Sequence, residues 1–524
     1  MRTPAYVGAG VAASVVAAVL GYAQKLPCSS GGAWNSFNGQ FQHACYTDIY
    51  PLYYNEGLSQ GQVPYSGHPV EYPVLIGAMM QLAAWLVHSV SDPFARGRDF
   101  YYVTVVLLAV CLVAGVLATG YAASREGDGQ LRATLMTALS PALILAAFIN
   151  WDLLAMALTA GGIAAWAARR ELLAGALLGL GVATKFYPLL FFAALLLLCL
   201  RTGKIREFCR ALAAGLIAWL VVNVPIAIVA TAGWGRFYAF SRSRGADWGS
   251  VWYMFEHFSL PVVGNSAIGE LNLITSGVFA LAFVAIAVLT LAAPRRPRLP
   301  QVCFLLLASF LMLNKVWSPQ YVIWLVPFAV LARPRLWQYI LWQLAEVAYF
   351  FGIWFYFSYM YNAPGTEVST GWYFGILLAR FLAVGLLAAV VVTDILRPER
   401  DLVRISGQDD PAGGVLDGAP DRIVLSWERG ARRPAQLSEN LSRSQPMSEG
   451  SPASGVSQMT GAPAARTTSS RTAGSIVPES KFACRSAPEA NSSRELLQCT
   501  RSIRPVIALT RSTTSPRSMP AELA

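Results

Sequence analysis

The sequence predicts an all-α protein that crosses a membrane many times, and three observations support this prediction. The chain of 524 residues is 55% hydrophobic but only 13% charged, a composition that is rare among soluble domains. Apolar runs recur as far as residue 395, and a backbone in lipid must satisfy its own hydrogen bonds, which favours helices. The arginines cluster between these runs, so the net charge of +11 indicates a membrane surface and needs no nucleic-acid partner.

The predicted helices follow the apolar runs in chain order. These runs cover residues 5–23, 73–90, 101–123, 133–149, 152–168, 172–183, 186–200, 211–230, 272–292, 301–313, 320–332, 337–356 and 372–395. The first run is either a signal peptide or a retained anchor, and we expect an anchor because many spans follow. Two runs, 172–183 and 301–313, are short for a full crossing, which is typical of broken helices that line a cavity.

The positive residues orient these helices. By the positive-inside rule, the cytoplasmic loops carry Arg169, Arg170, Arg201, Lys204, Arg206, Arg210, Arg295, Arg296, Arg298, Arg333 and Arg335. Residues 25–72 and 231–271 are then external loops. These placements agree only if residues 73–90 do not cross, so we predict an interfacial or re-entrant helix there. About twelve crossings remain, with both termini in the cytoplasm.

The composition changes abruptly after Arg397 and divides the chain. We predict one membrane-embedded domain over residues 1–404. The stretch "RRPAQLSENLSRSQPMSEGSPASG" is typical of the remainder, which is rich in Ser, Pro, Gly and Arg and has no apolar period. Such a segment buries too little surface to offset its chain entropy. We therefore predict a disordered, low-complexity cytoplasmic tail over residues 405–524, with an out-of-frame tail as the alternative.

The cysteines and histidines indicate no metal site. The eight cysteines form no CxxC pair and no Cys/His ligand spacing, so no metal ion is predicted. Cys28 and Cys45 share the first external loop, where an oxidising compartment favours a disulfide. A disulfide that closes a loop of this length contributes about 3 kcal/mol. Two unpaired thiols are the alternative.

Polar side chains at the external ends of the helices are expected to meet in one outward-facing cavity. The first external loop contains the stretches "CYTDIY" and "VEYPVL". The external ends and loops of the later helices contain "NWD", "ATKFYP", "SRGADWG" and "NKVWSPQY". The candidate residues are Asp48, Glu71, Tyr72, Asp152, Lys185, Arg244, Asp247, Trp248, Lys315 and Gln320. Glu346 and Arg380 lie inside spans, where a charge costs several kcal/mol unless it is paired, so we expect them to be partners.

Each candidate also has a structural interpretation. Asp48 and Asp152 precede predicted helices, and either carboxylate is a suitable N-cap. Glu71 is placed equally well at the membrane interface, and Lys185 and Lys315 at lipid headgroups. An aromatic belt is the alternative role for Trp248, Trp252 and Trp317.

Six segments, in order, resemble glycosyltransferase family 87 of actinobacteria. They are "CYTDIYPLYYNEG", "VPYSGHPVEYPVLIGA", "NWDLLAMAL", "GVATKFYPLLF", "RSRGADWGSVWY" and "NKVWSPQYVIWLVPF". The resemblance covers about residues 5–404 and implies the fold of the GT-C superfamily. It also implies transfer of mannose from a polyprenyl-phosphate-mannose donor to a lipid or glycan acceptor of the cell envelope. The enzyme would be a multi-pass protein of the plasma membrane with its active site facing outside.

The resemblance assigns the catalytic role to Asp48, because an Asp of the first external loop is the base in this superfamily. A positioned base contributes about 10²- to 10⁴-fold to the rate. The leaving lipid phosphate needs no proton, so a second carboxylic acid is not required. Lys185, Lys315, Arg244 and Arg380 are candidates to stabilise the charge on that phosphate. The stretch "YTDIY" lacks the second acid of a DxD pair, so neither a metal ion nor another cofactor is expected.

Three other functions remain as alternatives. A transporter or lipid flippase would also contain broken helices and buried charges, but it predicts inverted repeats and a midplane site. A non-catalytic scaffold of the cell envelope would need none of the proposed chemistry. An enzyme of the same superfamily that uses another polyprenyl-phosphate sugar, such as arabinose or glucose, would keep the architecture and change the donor.

Overall fold

A computed structural model describes residues 5–425 apart from residues 37, 126, 260–267 and 364. Within these residues the chain is helical and forms no β-strand; a single bridge joins Pro64 to His68. Most of the predicted tail, residues 426–524, lies outside the described residues, as does the part of the second external loop at 260–267. The all-α prediction is confirmed over the described chain.

The helices are numbered α1 to α20 in chain order. The first ten are Ala5–Gln24, Leu26–Ser29, Gly39–Gln42, Ile49–Asn55, Val74–Leu86, Pro93–Ala123, Gly127–Ala138, Pro141–Ala146, Asp152–Ala167 and Glu171–Val182. The remaining ten are Leu189–Thr202, Ile205–Val229, Thr231–Ser243, Val251–His257, Ile268–Ala292, Leu299–Leu313, Val322–Ala332, Leu336–Met360, Thr370–Leu396 and Leu402–Ile405.

Six of the described helices are long and apolar enough to cross a membrane. They lie at Ala5–Gln24, Phe94–Ala123, Ile205–Val229, Ile268–Ala292, Leu336–Met360 and Thr370–Leu396. Shorter apolar helices lie between them, including α10 and α16, which occupy the two runs predicted to be too short for a full span. The chain is thus a multi-pass membrane protein, and about twelve crossings remains a prediction.

Successive helices run between two ends of the bundle. At the first residue of α9, Asp152 forms an ion pair with Lys185, which follows α10, whereas Trp166 near the other end of α9 hydrogen-bonds to the carbonyl of Gly413. We call the end near Asp152 the site end and the end near Gly413 the arginine end. The first backbone N–H groups of α5 also lie at the site end, where Leu75 bonds to the carbonyl of Ala183. The predicted non-crossing helix at 73–90 stays a prediction.

Close glycine packing explains how the short helix α10 is held. A β-carbon added at Gly175 would lie 1.9 Å from the carbonyl oxygen of Ala211, and one at Gly179 would lie 2.1 Å from that of Gly215. The two glycines are four residues apart on one face of α10, so α10 and α12 approach backbone to backbone. This contact fixes the position of the loop after α10, which carries Lys185.

Helix α17 lies at the centre of the bundle. All of its residues, Val322–Ala332, are buried, and it packs against α6, α7, α8, α9, α16 and α18. A helix that is apolar all round belongs in an interior, as the uninterrupted run "VIWLVPFAVLA" indicates. The loop before α17 is therefore held at the middle of the site end.

Residues 405–425 differ from the predicted disorder, because they pack against the arginine end. Asp421 forms ion pairs with Arg201 at 2.7 Å and with Arg296 at 2.8 Å, and Leu425 donates a backbone hydrogen bond to Leu291. These ion pairs and hydrogen bonds are polar contacts, and the sequence of residues 405–425 has no apolar periodicity. A sequence argument based on hydrophobic burial therefore misses them, and the ordered chain extends at least to residue 425.

Candidate active site

Asp48 is held at the site end by its own backbone N–H and by the side chain of the residue before it. Its N–H donates to the carbonyl of Ile149 at 2.7 Å, and the Thr47 hydroxyl donates to the carbonyl of Phe148 at 2.8 Å. These bonds join the first predicted external loop to the stretch "FINWD" about a hundred residues later. As a result, two motifs that are distant in sequence meet at one place.

The Asp48 carboxylate is buried between two tyrosine hydroxyls. Tyr46 donates to its Oδ1 atom at 2.6 Å and Tyr72 to its Oδ2 atom at 3.3 Å, and the residue is only 2% exposed. Although Asp48 lies at the N-cap position of α4, its side chain makes no capping bond, so the capping interpretation is wrong. Burial raises the pKa of the Asp48 carboxyl to about 6, and the Tyr46 hydrogen bond opposes that rise.

Lys185 is joined to this carboxylate through Tyr72. Its Nζ atom lies 3.2 Å from Oδ1 of Asp152 and 4.7 Å from the centre of the Tyr72 ring. Tyr72 therefore contacts Asp48 through its hydroxyl and Lys185 through its ring. The Lys185 side chain is 12% exposed, so it does not simply extend to lipid headgroups. Asp152 is the first residue of α9, and its carboxylate pairs with Lys185.

Glu71 carries a second carboxyl whose charge is not neutralised. Its Oε1 atom is buried without a hydrogen-bond partner. Burial and then the Asp48 charge raise the pKa of Glu71 to about 7, and the Arg244 charge opposes both effects. Glu56, which sequence reasoning missed, lies 3.6 Å from the imidazole of His68, and burial and the charge of Glu71 raise its pKa to about 7 as well.

Arg244, Asp247 and Lys315 form the cationic side of the site. The Arg244 guanidinium lies 3.5 Å from Oδ1 of Asp247, whose N–H donates to the carbonyl of Lys315 at 2.8 Å. The Lys315 ammonium donates to the carbonyls of Arg242 and Arg244. Burial, and then the charge of Arg244, lower the pKa of Lys315 to about 8. Arg244 is thus paired with a carboxylate, whereas the Lys315 ammonium donates to backbone carbonyls.

Glu346 and Arg380 form the buried pair that the sequence predicts. Nε of Arg380 lies 2.9 Å from Oε2 of Glu346, and Nη1 donates to the carbonyl of Trp317 at 3.0 Å. The guanidinium also stacks 4.0 Å from the ring centres of both Trp317 and Tyr349. These contacts are all internal. The pair therefore fixes the segment that carries Lys315, and a role in binding substrate stays a prediction.

Trp248 and Gln320 complete the predicted set. The Trp248 carbonyl accepts a hydrogen bond from Tyr373 at 2.8 Å, and its ring packs edge-on against Phe357. Trp248 is therefore a half-buried side chain that packs against the core at the site end. Gln320 is buried in the turn before α17, between Lys315 and the central helix.

Lys25 is a second residue of this region that sequence reasoning missed. Its buried ammonium donates to the carbonyl of Tyr46 at 2.8 Å and lies over the Phe350 ring. Burial lowers the pKa of Lys25 to about 7, and the charge of Asp48 opposes that shift. The signal was a lysine directly after the first apolar run. Nearby, Cys28 and Cys45 form the disulfide that was one of the two sequence alternatives.

Comparison with known proteins adds a family match. The sequence model described as Glycosyltransferase family 87 matches residues 72–315, a range that begins at Tyr72 and ends at Lys315. None of the curated proteins compared with the chain matches it. The match includes Asp152, Lys185 and Arg244, whereas Asp48 lies before it. Across the part of the chain that the structure describes, no group of three or more His, Cys, Asp or Glu side chains is arranged to hold a metal ion.

Proposed function

We propose that this protein is a membrane glycosyltransferase of family 87, whose sequence model matches residues 72–315, and that it transfers mannose from a polyprenyl-phosphate donor. The acceptor is a lipid or glycan of the cell envelope, and the reaction takes place at the site end. The side opposite the arginine end is the external side, since arginine-rich loops stay in the cytoplasm. The plasma membrane, the external site and cytoplasmic termini belong to this proposal.

One observation carries the proposal, namely the environment of the Asp48 carboxylate. Two tyrosine hydroxyls hold it, burial raises its pKa to about 6, and Tyr72 connects it to the Lys185 ammonium. A base is most effective when its pKa lies near the working pH, so a pKa of about 6 suits proton removal better than the ordinary value of 3.8.

The proposed reaction is a single displacement. An acceptor hydroxyl gives its proton to Asp48 while its oxygen forms a bond to the anomeric carbon of the donor sugar. The bond from that carbon to the lipid phosphate oxygen breaks, and its electron pair leaves with the phosphate. Attack from the opposite face inverts the configuration at the anomeric carbon.

Cations at the site end stabilise the departing phosphate. Lys185 lies over the ring of Tyr72, Arg244 pairs with Asp247, and the Lys315 ammonium donates to two backbone carbonyls. Positive groups fixed where negative charge develops lower the barrier because they need no reorganisation during the reaction. The Glu346–Arg380 pair holds the segment that carries Lys315, so we assign it to positioning.

The experiment uses purified protein in lipid vesicles with an envelope lipid extract as acceptor. The same polyprenyl phosphate carries radiolabelled mannose, glucose or arabinose in three parallel reactions. We expect labelled product from the mannose donor, with an inverted anomeric centre by NMR. Transfer from only another sugar contradicts the mannose assignment. Movement of the intact donor across the vesicle without transfer supports a flippase and contradicts the enzyme.

A further inference from the structure

A deep apolar groove lies at the arginine end of the bundle, away from the site that carries the proposed chemistry. It runs between α7 and α18 and encloses about 810 Å³. Apart from Asp128, Arg132 and Gln343, its lining is almost entirely apolar, with Leu131, Leu135, Met136, Leu139, Tyr339, Ile340, Leu344 and Val347. Hydrophobic residues on a membrane helix face are ordinary, but a groove of this volume has room for a lipid chain.

Two arginines lie at the end of this groove without a carboxylate partner. Arg132 is exposed, and no ion pair joins it to an acid among the described residues, Asp128 included. Arg335 is half-buried, and its Nε atom has no hydrogen-bond partner. The contrast with Arg298 is clear, because that guanidinium is fully engaged by Asp401 and two carbonyls.

Arg132 also connects the groove to two further cavities. One encloses about 510 Å³ and includes Arg335, Trp337 and Ile340 in its lining. The other encloses about 280 Å³ and is more polar, because Ser124, Asp128, Ser406 and Gln408 face it. A cation therefore stands where an apolar groove meets a chamber that offers hydroxyl and amide groups and one carboxylate. This arrangement matches a molecule with an apolar chain, a phosphate and a polar headgroup, in that order.

We propose that the groove between α7 and α18 binds an anionic glycerophospholipid. The phosphate lies against Arg132 and Arg335, an acyl chain fills the groove, and the headgroup enters the polar chamber. Arginine-rich loops face the cytoplasmic leaflet, whose anionic lipids are attracted by such side chains. The chamber favours a glycerophospholipid over a polyprenyl phosphate, because the latter has no headgroup beyond its phosphate. This proposal does not depend on the sugar-transfer reaction.

The bound lipid would connect three parts of the arginine end. Helices α7 and α18 form the walls of the groove, and residues 402–408 line the polar chamber. Ser124 already hydrogen-bonds with Gln408, so the headgroup adds to an existing contact between distant segments. Lipid binding is therefore expected to raise the melting temperature of the protein as well as to occupy the groove.

The test is a titration of the purified full chain in neutral detergent, followed by native mass spectrometry. The probes are dioleoylphosphatidylglycerol, dioleoylphosphatidylcholine and a polyprenyl phosphate. We expect tightest binding of phosphatidylglycerol, and about fivefold weaker binding of it after Arg132→Ala or Arg335→Ala, because each arginine near a lipid surface contributes a factor of that size. Leu344→Trp, which fills the groove without changing charge, should weaken binding of phosphatidylglycerol equally.

Arg170→Ala is the matched control, since Arg170 is an exposed arginine at the same end but not in the groove. This variant should bind phosphatidylglycerol as the original protein does. Equal affinity for phosphatidylglycerol and phosphatidylcholine overturns the proposal, and so does unchanged binding in both Arg132→Ala and Leu344→Trp. Tighter binding of the polyprenyl phosphate overturns the choice of a glycerophospholipid.

Discussion

The two ends of the helical bundle both concentrate charged side chains, but they neutralise these charges differently. At the arginine end, Arg298 has both oxygens of Asp401 at 2.7 and 3.0 Å, and its other N–H groups donate to two carbonyls. At the site end, the Asp48 carboxylate has two neutral hydroxyls, and one oxygen of Glu71 has no hydrogen-bond partner. The Arg298–Asp401 pair is saturated, whereas the carboxylates of Asp48 and Glu71 are not.

This difference separates structural charges from functional ones. A buried charge with a full set of partners holds segments together, and removing one partner costs about 3–5 kcal/mol. A buried charge without such partners is unfavourable in the protein alone, so a site that keeps several of them is suited to a ligand that brings charge. The shifted pKa values of Asp48, Glu71, Lys25 and Lys315 fit this second type.

The largest effect is expected when the Asp48 carboxylate at the site end is removed. Asp48→Asn keeps the shape of the side chain but removes the proton acceptor, so we expect the transfer rate to fall by about 10²- to 10⁴-fold. Thermal unfolding should change little, because the carboxylate is not part of a saturated ion pair. Asp99→Asn, an acid on α6 outside the network, is the control. An unchanged transfer rate in Asp48→Asn would show that Asp48 is not the catalytic base.

The next largest effect concerns the saturated Arg298–Asp401 pair at the arginine end, and we expect it on the stability of the protein. Asp401→Asn leaves the Arg298 guanidinium without its counter-charge, so we expect a loss of about 3–5 kcal/mol in the free energy of unfolding. The rate per folded molecule should remain the same, because Asp401 lies at the opposite end. Denaturant titration in detergent measures the first quantity and active-site-normalised turnover the second. If Asp401→Asn lowered the turnover without lowering the stability, the two ends of the bundle would be functionally coupled, which contradicts this prediction.

Lys185 should sharpen the comparison, because it has a carboxylate partner yet lies beside Asp48. Lys185→Gln removes a cation from the leaving phosphate and should lower the rate by about 10²- to 10³-fold. It also leaves Asp152 buried and unpaired, which lowers stability. The double change Lys185→Gln with Asp152→Asn should restore stability but not rate. Recovery of the rate in the double variant would give Lys185 a purely structural role.

The sequence predicted the elements and the meeting of the site residues better than it predicted the contacts within each cluster. The apolar runs and the arginine positions were enough to bring the motifs around Asp48, Asp152 and Lys185 to one end, because alternating helices leave few other arrangements. The two short runs correspond to the helices α10 and α16. The family match supports the same resemblance over residues 72–315.

Particular partners could not be read from the sequence. The order of residues 405–425 depends on guanidinium contacts to carboxylates and carbonyls, and many arginines were equally good candidates for each acid. Lys25 and Glu56 looked like ordinary residues of an external loop, because their burial arises only when the loop packs. The choice between capping and catalysis for Asp48 also required the direction of its side chain.

The most direct test of the central claim is the pH dependence of kcat/KM, because Asp48 must be ionised to accept a proton. With a pKa of about 6, the ionised fraction falls below pH 6, so the rate should fall there too. Tyr46 donates to the ionised form, and losing that bond is expected to raise the pKa by about one to two units.

We expect Tyr46→Phe to move the acidic limb of the pH profile upward by about one to two pH units. Glu71→Gln is the control for the other nearby carboxyl, whose pKa burial raises to about 7, and it should leave a limb near pH 6. An acidic limb that stays in place in Tyr46→Phe, or that disappears in Glu71→Gln, would contradict Asp48 as the base.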